Sequence, residues 1–148
     1  MARVLRTSLP DGFFHVYTRG IAAAPAFPQP QDRTALLALL LKGELRFELN
    51  VFAACVLTTH YHAVVEASQA GLSSCIQWLN ARYARAFNKR YGQFGHVFAE
   101  RFQTRVVEGE SRVFETCAYV LLNPVKAGLC ERVEDWPWSY SRYGLDVM

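Results

Sequence analysis

The sequence has no long apolar run. Its longest, Ala35–Leu41 and Val51–Leu57, fall far short of the roughly 20 residues that cross a bilayer as a helix, which excludes a helical membrane span. Cysteine is scarce and scattered: Cys55, Cys75, Cys117 and Cys130 stand far apart, in apolar company and without a C-x-x-C step. That spacing argues against a disulfide framework and a cysteine zinc site, and suits buried free thiols in a reducing compartment. The first residues lack the apolar stretch and small-residue cleavage site of a secretory signal, so the chain is expected in the cytoplasm. Repeats and low-complexity tracts are missing as well. With 51% hydrophobic and 20% charged residues, the chain cannot be a disordered tail. Its 148 residues suffice for one core, and a single domain over 1–148 is expected.

Acidic residues are nearly missing from one stretch. Arg82, Arg85, Lys89, Arg90, Arg101 and Arg105 lie in a segment whose only acid is Glu100. The whole chain is only mildly basic, at a net charge of +3, so this local excess is the feature that points to an anionic partner.

Along the chain, the aromatic and β-branched run Phe13–Thr18 predicts a first strand. Pro25, Pro28 and Pro30 predict an irregular, mobile loop over Ala22–Pro30. From Gln31 the leucines Leu36, Leu37, Leu39, Leu40 and Leu41 recur at helical spacing, with Asp32 as cap or first-turn acid. Phe47–Leu57 and Tyr61–Ala67 read as two strands of a hairpin, and Leu72–Arg90 as a helix begun by Gly71 and Ser73. Val97–Val107 alternates as a fourth strand. A third helix is expected over Ser111–Leu122, stopped by Asn123-Pro124, with Trp136, Pro137, Trp138 and Tyr140 folded back as an aromatic cover. The order strand, helix, strand, strand, helix, strand, helix predicts an α+β, ferredoxin-like split βαβ sandwich with an added C-terminal helix.

Two constellations could carry chemistry. His60 and His62 flank Tyr61, and on a strand a spacing of two sends both imidazoles to one face. Such a pair can hold a divalent ion, or stand by chance on an exposed sheet face. Tyr119 and Asn123, four apart on a helix, share one side. A phenol has an ordinary pKa of about 10 and needs a cation before it can attack a phosphate. Asn123 offers an amide oxygen as a third ligand. The plain alternatives are a core tyrosine and a helix-terminal asparagine. On the basic segment, Arg82, Arg85 and Lys89 form one helix stripe and Arg101 and Arg105 one strand face; they read as contacts to a DNA backbone or as a solvated surface. Tyr83, Tyr91 or Phe94 could stack on unpaired bases. His15 reads as a strand residue or a support for a ligand, His96 as structural.

The string Ala118-Tyr-Val-Leu-Leu-Asn-Pro-Val-Lys-Ala-Gly-Leu129, followed by Asp135-Trp-Pro-Trp-Ser-Tyr140, resembles the C-terminal signature of the REP-associated tyrosine transposases, which are HUH single-tyrosine nucleases. His15-Val-Tyr-Thr-Arg-Gly20, Thr59-His-Tyr-His62, Leu79-Asn-Ala-Arg-Tyr83 and Gly95-His-Val-Phe-Ala-Glu-Arg-Phe102 are similar to that family's other blocks, in the same order. Thr58-Thr59 departs from the proline-asparagine step usual before the first metal histidine. The resemblance implies metal ligation by His60, His62 and Asn123, with Mg²⁺ or Mn²⁺ as cofactor, and Tyr119 as nucleophile. It implies nicking and joining of single-stranded or hairpin DNA through a 5′-phosphotyrosine, in a cytoplasmic, nucleoid-associated protein, and leaves a homodimer open. The alternatives are a DNA-hairpin-binding protein without turnover and a metal-dependent phosphodiesterase that uses water.

Overall fold

The computed structural model describes residues 12–21, 25–99 and 102–144. Strand β1 (Gly12–Arg19) is followed by helix α1 (Pro30–Arg46), the hairpin β2 (Asn50–Val56) and β3 (His60–Ala67), helix α2 (Gln69–Tyr91), strand β4 (Gln103–Val107), helix α3 (Glu110–Lys126) and strand β5 (Ser139–Ser141). The sheet order is β4-β1-β3-β2-β5, with every neighbouring pair antiparallel. Because β3 lies between β1 and β2, the expected split βαβ arrangement is present. Among the described residues no helix is long and apolar enough to cross a membrane.

The two faces of the sheet carry separate cores. Phe14, Val16, Tyr61, Ala63 and Val65 pack under α1 and α2 with Leu36, Leu40, Ile76 and Leu79. Ala53, Cys55 and Val64 pack under α3 with Val113, Cys117, Val120 and Leu121. A bulge in β2 between Val51 and Ala53 shifts the alternation by one residue, so Val51 and Ala54 face the α1/α2 core while Ala53 and Cys55 face α3. All four cysteines are free. Burial pushes the Cys55 and Cys75 thiols up to about 12 and Cys117 to about 11, as expected of inert core thiols.

Several boundaries differ from the sequence expectations. Residues 25–29 are not loose: Phe27 is wholly buried in an aromatic nest with Tyr61, Tyr83 and Phe98, and the Tyr83 hydroxyl donates to the Ala26 carbonyl. Helix α1 starts at Pro30, with Gln29 and Asp32 forming a capping box, so Asp32 is the first-turn acid. Phe47 caps that helix rather than opening β2. Ser68 begins α2, its hydroxyl accepting from the Gly71 N–H. Strand β4 begins only at Gln103. Upstream, Phe98 makes an isolated bridge to Gly20, and its ring packs into the Phe27–Tyr83 nest. Arg101 and residues 22–24 lie outside the described residues.

Helix α3 does not stop at Asn123-Pro124 but runs through to Lys126. A helix-interior proline leaves the carbonyl four residues earlier without its N–H donor. Here the Asn123 side-chain amide donates to the Tyr119 carbonyl at 3.1 Å and reaches the Val120 carbonyl at 3.5 Å, which lowers that cost. The tail adds the fifth strand, unforeseen from the sequence, along the edge of β2. It is anchored by Trp136, whose indole N–H donates to the Val56 carbonyl, and Trp138, which donates to Thr34 Oγ1.

Candidate active site

Strand periodicity decides the first half of the site. His60 and His62 sit on the α3 side of β3, and Tyr61 points the opposite way, fully buried under α2 with its hydroxyl donating to Asn80 Oδ1 at 2.7 Å. The rings of His60 and His62 are 5.0 Å apart between centroids. Tyr17, opposite His62 in the β1–β3 register, leans on both imidazoles, 5.4 Å from His60 and 4.8 Å from His62.

Each histidine is held through Nδ1. His60 Nδ1 lies 2.9 Å from Thr59 Oγ1, and His62 Nδ1 lies 3.0 Å from His15 Nε2. Among the described residues, both Nε2 atoms remain for another partner. The Thr58-Thr59 turn is itself secured, because the Phe27 and Gly20 N–H groups donate to the Thr58 and Thr59 carbonyls. Burial, and then the Arg105 charge, lowers the His15 pKa; burial, and then Arg19, lowers that of His60. Burial, with His60 and His15 adding to it, brings His62 down to about 3. The imidazoles of this cluster are therefore neutral near pH 7, the form that lends a lone pair to a cation.

Helix α3 supplies the second half. Arg112, Thr116, Tyr119 and Asn123 recur on one side of it and line a cavity of about 800 Å³ with His60 and His62. The Tyr119 ring stands edge-on to His62 (6.1 Å between centroids, 89° between planes) and to His15 (5.9 Å, 75°). It is 45% exposed, so it is not a core aromatic. Lys126 Nζ lies 5.1 Å from its centroid, placing a positive charge beside the phenol.

The donor set can be tested against a divalent ion. Among the described residues no three His, Cys, Asp or Glu side chains form a metal-holding group. Two neutral imidazoles would therefore need an amide or water oxygen as a third donor. Asn123 fits: its Nδ2 is committed to backbone carbonyls, which leaves Oδ1 as a free acceptor in a residue that lines the cavity.

The basic residues separate into two groups. Arg105 lines the cavity from β4, joined by Arg112, a residue the sequence reading missed although it lies seven positions before Tyr119 on the same helix. Arg82, Arg85 and Lys89 are exposed on α2, in the layer on the other side of the sheet. Of the proposed stacking residues, Tyr83 is buried and the Tyr91 hydroxyl is engaged by Asp32, whereas Phe94 is 98% exposed.

Comparisons with known proteins bear on the family and the fold. A match to the family described as "Transposase IS200 like" runs over residues 15–121. A protein of Haemophilus influenzae named "Putative REP-associated tyrosine transposase" is 25% identical over 112 residues, covering 68% of this chain and 62% of that relative, less than two thirds of its length. The solved structure of a REP-associated tyrosine transposase bound to a REP hairpin superposes with a TM-score of 0.71 at 19% identity, over 94% of this chain and 82% of that one. A structure from Deinococcus radiodurans described as a "putative transposase" gives a TM-score of 0.55 at 13% identity, over 80% and 94% of the two chains. At these identities the structural likenesses show the fold.

Proposed function

This chain belongs to the IS200-like transposase family, and from that premise we propose that it cuts and rejoins single-stranded DNA at or beside a hairpin, with Tyr119 as nucleophile. The observation that carries the reading is the juxtaposition of a half-exposed tyrosine with a pair of neutral, Nδ1-anchored histidines in one cavity. A REP hairpin is the ligand of a structural relative, and hairpin DNA is accordingly the substrate class proposed here.

His60, His62 and the Asn123 amide oxygen are the residues proposed to hold Mg²⁺ or Mn²⁺. When bound, such an ion polarises the scissile phosphate and stabilises the charge that develops on its oxygens. Arg105 and Arg112 would bind the flanking phosphates in the same cavity, which orients the strand for in-line attack. The Tyr119 oxygen forms a bond to phosphorus as the bond from phosphorus to the 3′ oxygen breaks. The phenolic proton leaves, and the departing 3′ oxygen takes one up. The products are a 5′-phosphotyrosine and a free 3′-hydroxyl, and attack by such a hydroxyl reverses the step. One phosphodiester is exchanged for another, so joining needs no nucleotide cofactor.

Incubation with end-labelled hairpin DNA bearing single-stranded flanks, in Mn²⁺, tests the reading on a denaturing gel. A covalent adduct absent from Tyr119→Phe and His62→Ala is expected. Mn²⁺-dependent cleavage that survives Tyr119→Phe would instead make water the nucleophile.

A further inference from the structure

His15 is the third imidazole of the site, and the reaction outlined above gives it no task. It lies on β1, beside Arg105 of β4. Its ring lies edge to edge with that of His62, nearly in one plane (5.2 Å between centroids, 26° between planes), and meets the Tyr119 ring at 5.9 Å. The contact that matters is the one between His15 Nε2 and His62 Nδ1, 3.0 Å long. A neutral imidazole has one N–H and one lone pair, so two neutral rings joined through these atoms must divide the roles. If His15 Nε2 carried the hydrogen, His62 would hold its own on Nε2 and could not lend that atom to a cation. If His62 Nδ1 carries the hydrogen, its Nε2 lone pair is free. His15 itself is excluded as a fellow ligand in this arrangement, because its Nε2 is spent on the His62 side facing away from His62 Nε2.

We propose that His15 is a positioning residue that accepts the Nδ1 hydrogen of His62 through its own Nε2, fixing His62 in the tautomer that presents Nε2 to a divalent cation. The inference rests on the metal reading of His60 and His62 given above. It assigns to a histidine the part that a carboxylate or backbone carbonyl usually plays behind a metal-bound imidazole, where loss of the partner costs about 10- to 100-fold in metal affinity. His60 has its own anchor in Thr59, so the two ligands are fixed independently, one from the hairpin turn and one from the neighbouring strand.

Two variants and two readouts test this. His15→Gln keeps an acceptor where Nε2 stood, whereas His15→Phe keeps an aromatic ring and its contact with Tyr119 but has no acceptor. Long-range ¹H–¹⁵N correlation spectra of the metal-free full chain should show His62 protonated on Nδ1 in wild type and His15→Gln, and shifted towards the other tautomer in His15→Phe. Mn²⁺ titration should show affinity falling about 10- to 100-fold in His15→Phe and restored to within about threefold in His15→Gln. A wild-type spectrum with His62 protonated on Nε2, or a His15→Phe variant that binds Mn²⁺ as wild type does, overturns the proposal. Should the wild type bind no Mn²⁺ at all, the metal reading falls, while the metal-free spectrum still decides the tautomer.

Discussion

The side-chain amide of Asn123 donates to the backbone carbonyl of Tyr119, 3.1 Å away and one helical turn back. The same group reaches the Val120 carbonyl at 3.5 Å, the acceptor that Pro124 leaves without a donor. Asn123 thus stabilises the turn that carries Tyr119 while its oxygen stays an acceptor. Asn123→Ala should cost about 1 kcal/mol of stability, and less when combined with Pro124→Ala, which restores an N–H to the helix. Urea denaturation of the four proteins should give a coupling of about 0.5–1 kcal/mol; strictly additive effects would show that the amide does not compensate for the proline.

Tyr61 stands beside both histidines in sequence and across the sheet from them in space. Tyr61→Phe removes the 2.7 Å bond to Asn80 and should destabilise the fold by about 1–2 kcal/mol, since the Asn80 oxygen loses its donor. Adduct formation with DNA should persist, because the hydroxyl is buried under α2. Loss of the adduct in a variant that still melts cooperatively would make Tyr61 part of the chemistry.

Residues 25–29 are expected to behave as core. Phe27 is enclosed by Tyr61, Tyr83 and Phe98, and Phe27→Ala should cost about 3–5 kcal/mol. Calorimetry measures this directly; a loss near zero would mean that the segment does not pack as described.

The two basic groups should respond differently to substitution. Arg85→Ala, on α2, should weaken single-stranded DNA binding and reduce the salt slope of log K by about 1, while leaving the adduct rate at saturating DNA unchanged. Arg105→Ala, in the cavity, should lower both affinity and saturated rate. Salt titrations by fluorescence anisotropy, paired with single-turnover adduct assays, separate the two behaviours.

Phe94 is an aromatic left almost wholly in solvent. Phe94→Ala should leave stability within about 0.5 kcal/mol of wild type and weaken binding to single-stranded DNA by about 1–3 kcal/mol if a base stacks on it. An unchanged affinity for unpaired DNA would remove Phe94 from the interface.

Much of this was legible in the sequence because it depends on local periodicity. A spacing of two on a β-branched run puts His60 and His62 on one face wherever the strand sits, and a spacing of four puts Tyr119 and Asn123 on one side of a helix. The element order carried the split βαβ pattern, since short connections and antiparallel pairing leave few other arrangements. Chain-local rules failed where a distant partner outweighed them. Pro124 reads as a stop until Asn123 reaches the Val120 carbonyl it orphans; residues 97–99 read as strand, yet their pairing among the described residues is the one bridge from Phe98 to Gly20; the Trp-rich tail packs as a cover, but the open edge of β2 also pairs with residues 139–141.

By itself, then, the sequence determined which side chains face which way along each element, and through its motifs the family to compare it with. Only the tertiary structure decided which faces meet. It brought α3 onto the histidine side of the sheet, so that Tyr119 stands over His62 while Arg82, Arg85 and Lys89 fall in the opposite layer. It also set His15 Nε2 against His62 Nδ1, 47 positions apart in the chain. The physical reason is that periodicity is fixed by backbone geometry within a few residues, whereas the pairing of faces is chosen by burying two separate apolar cores at once, a condition that involves the whole chain.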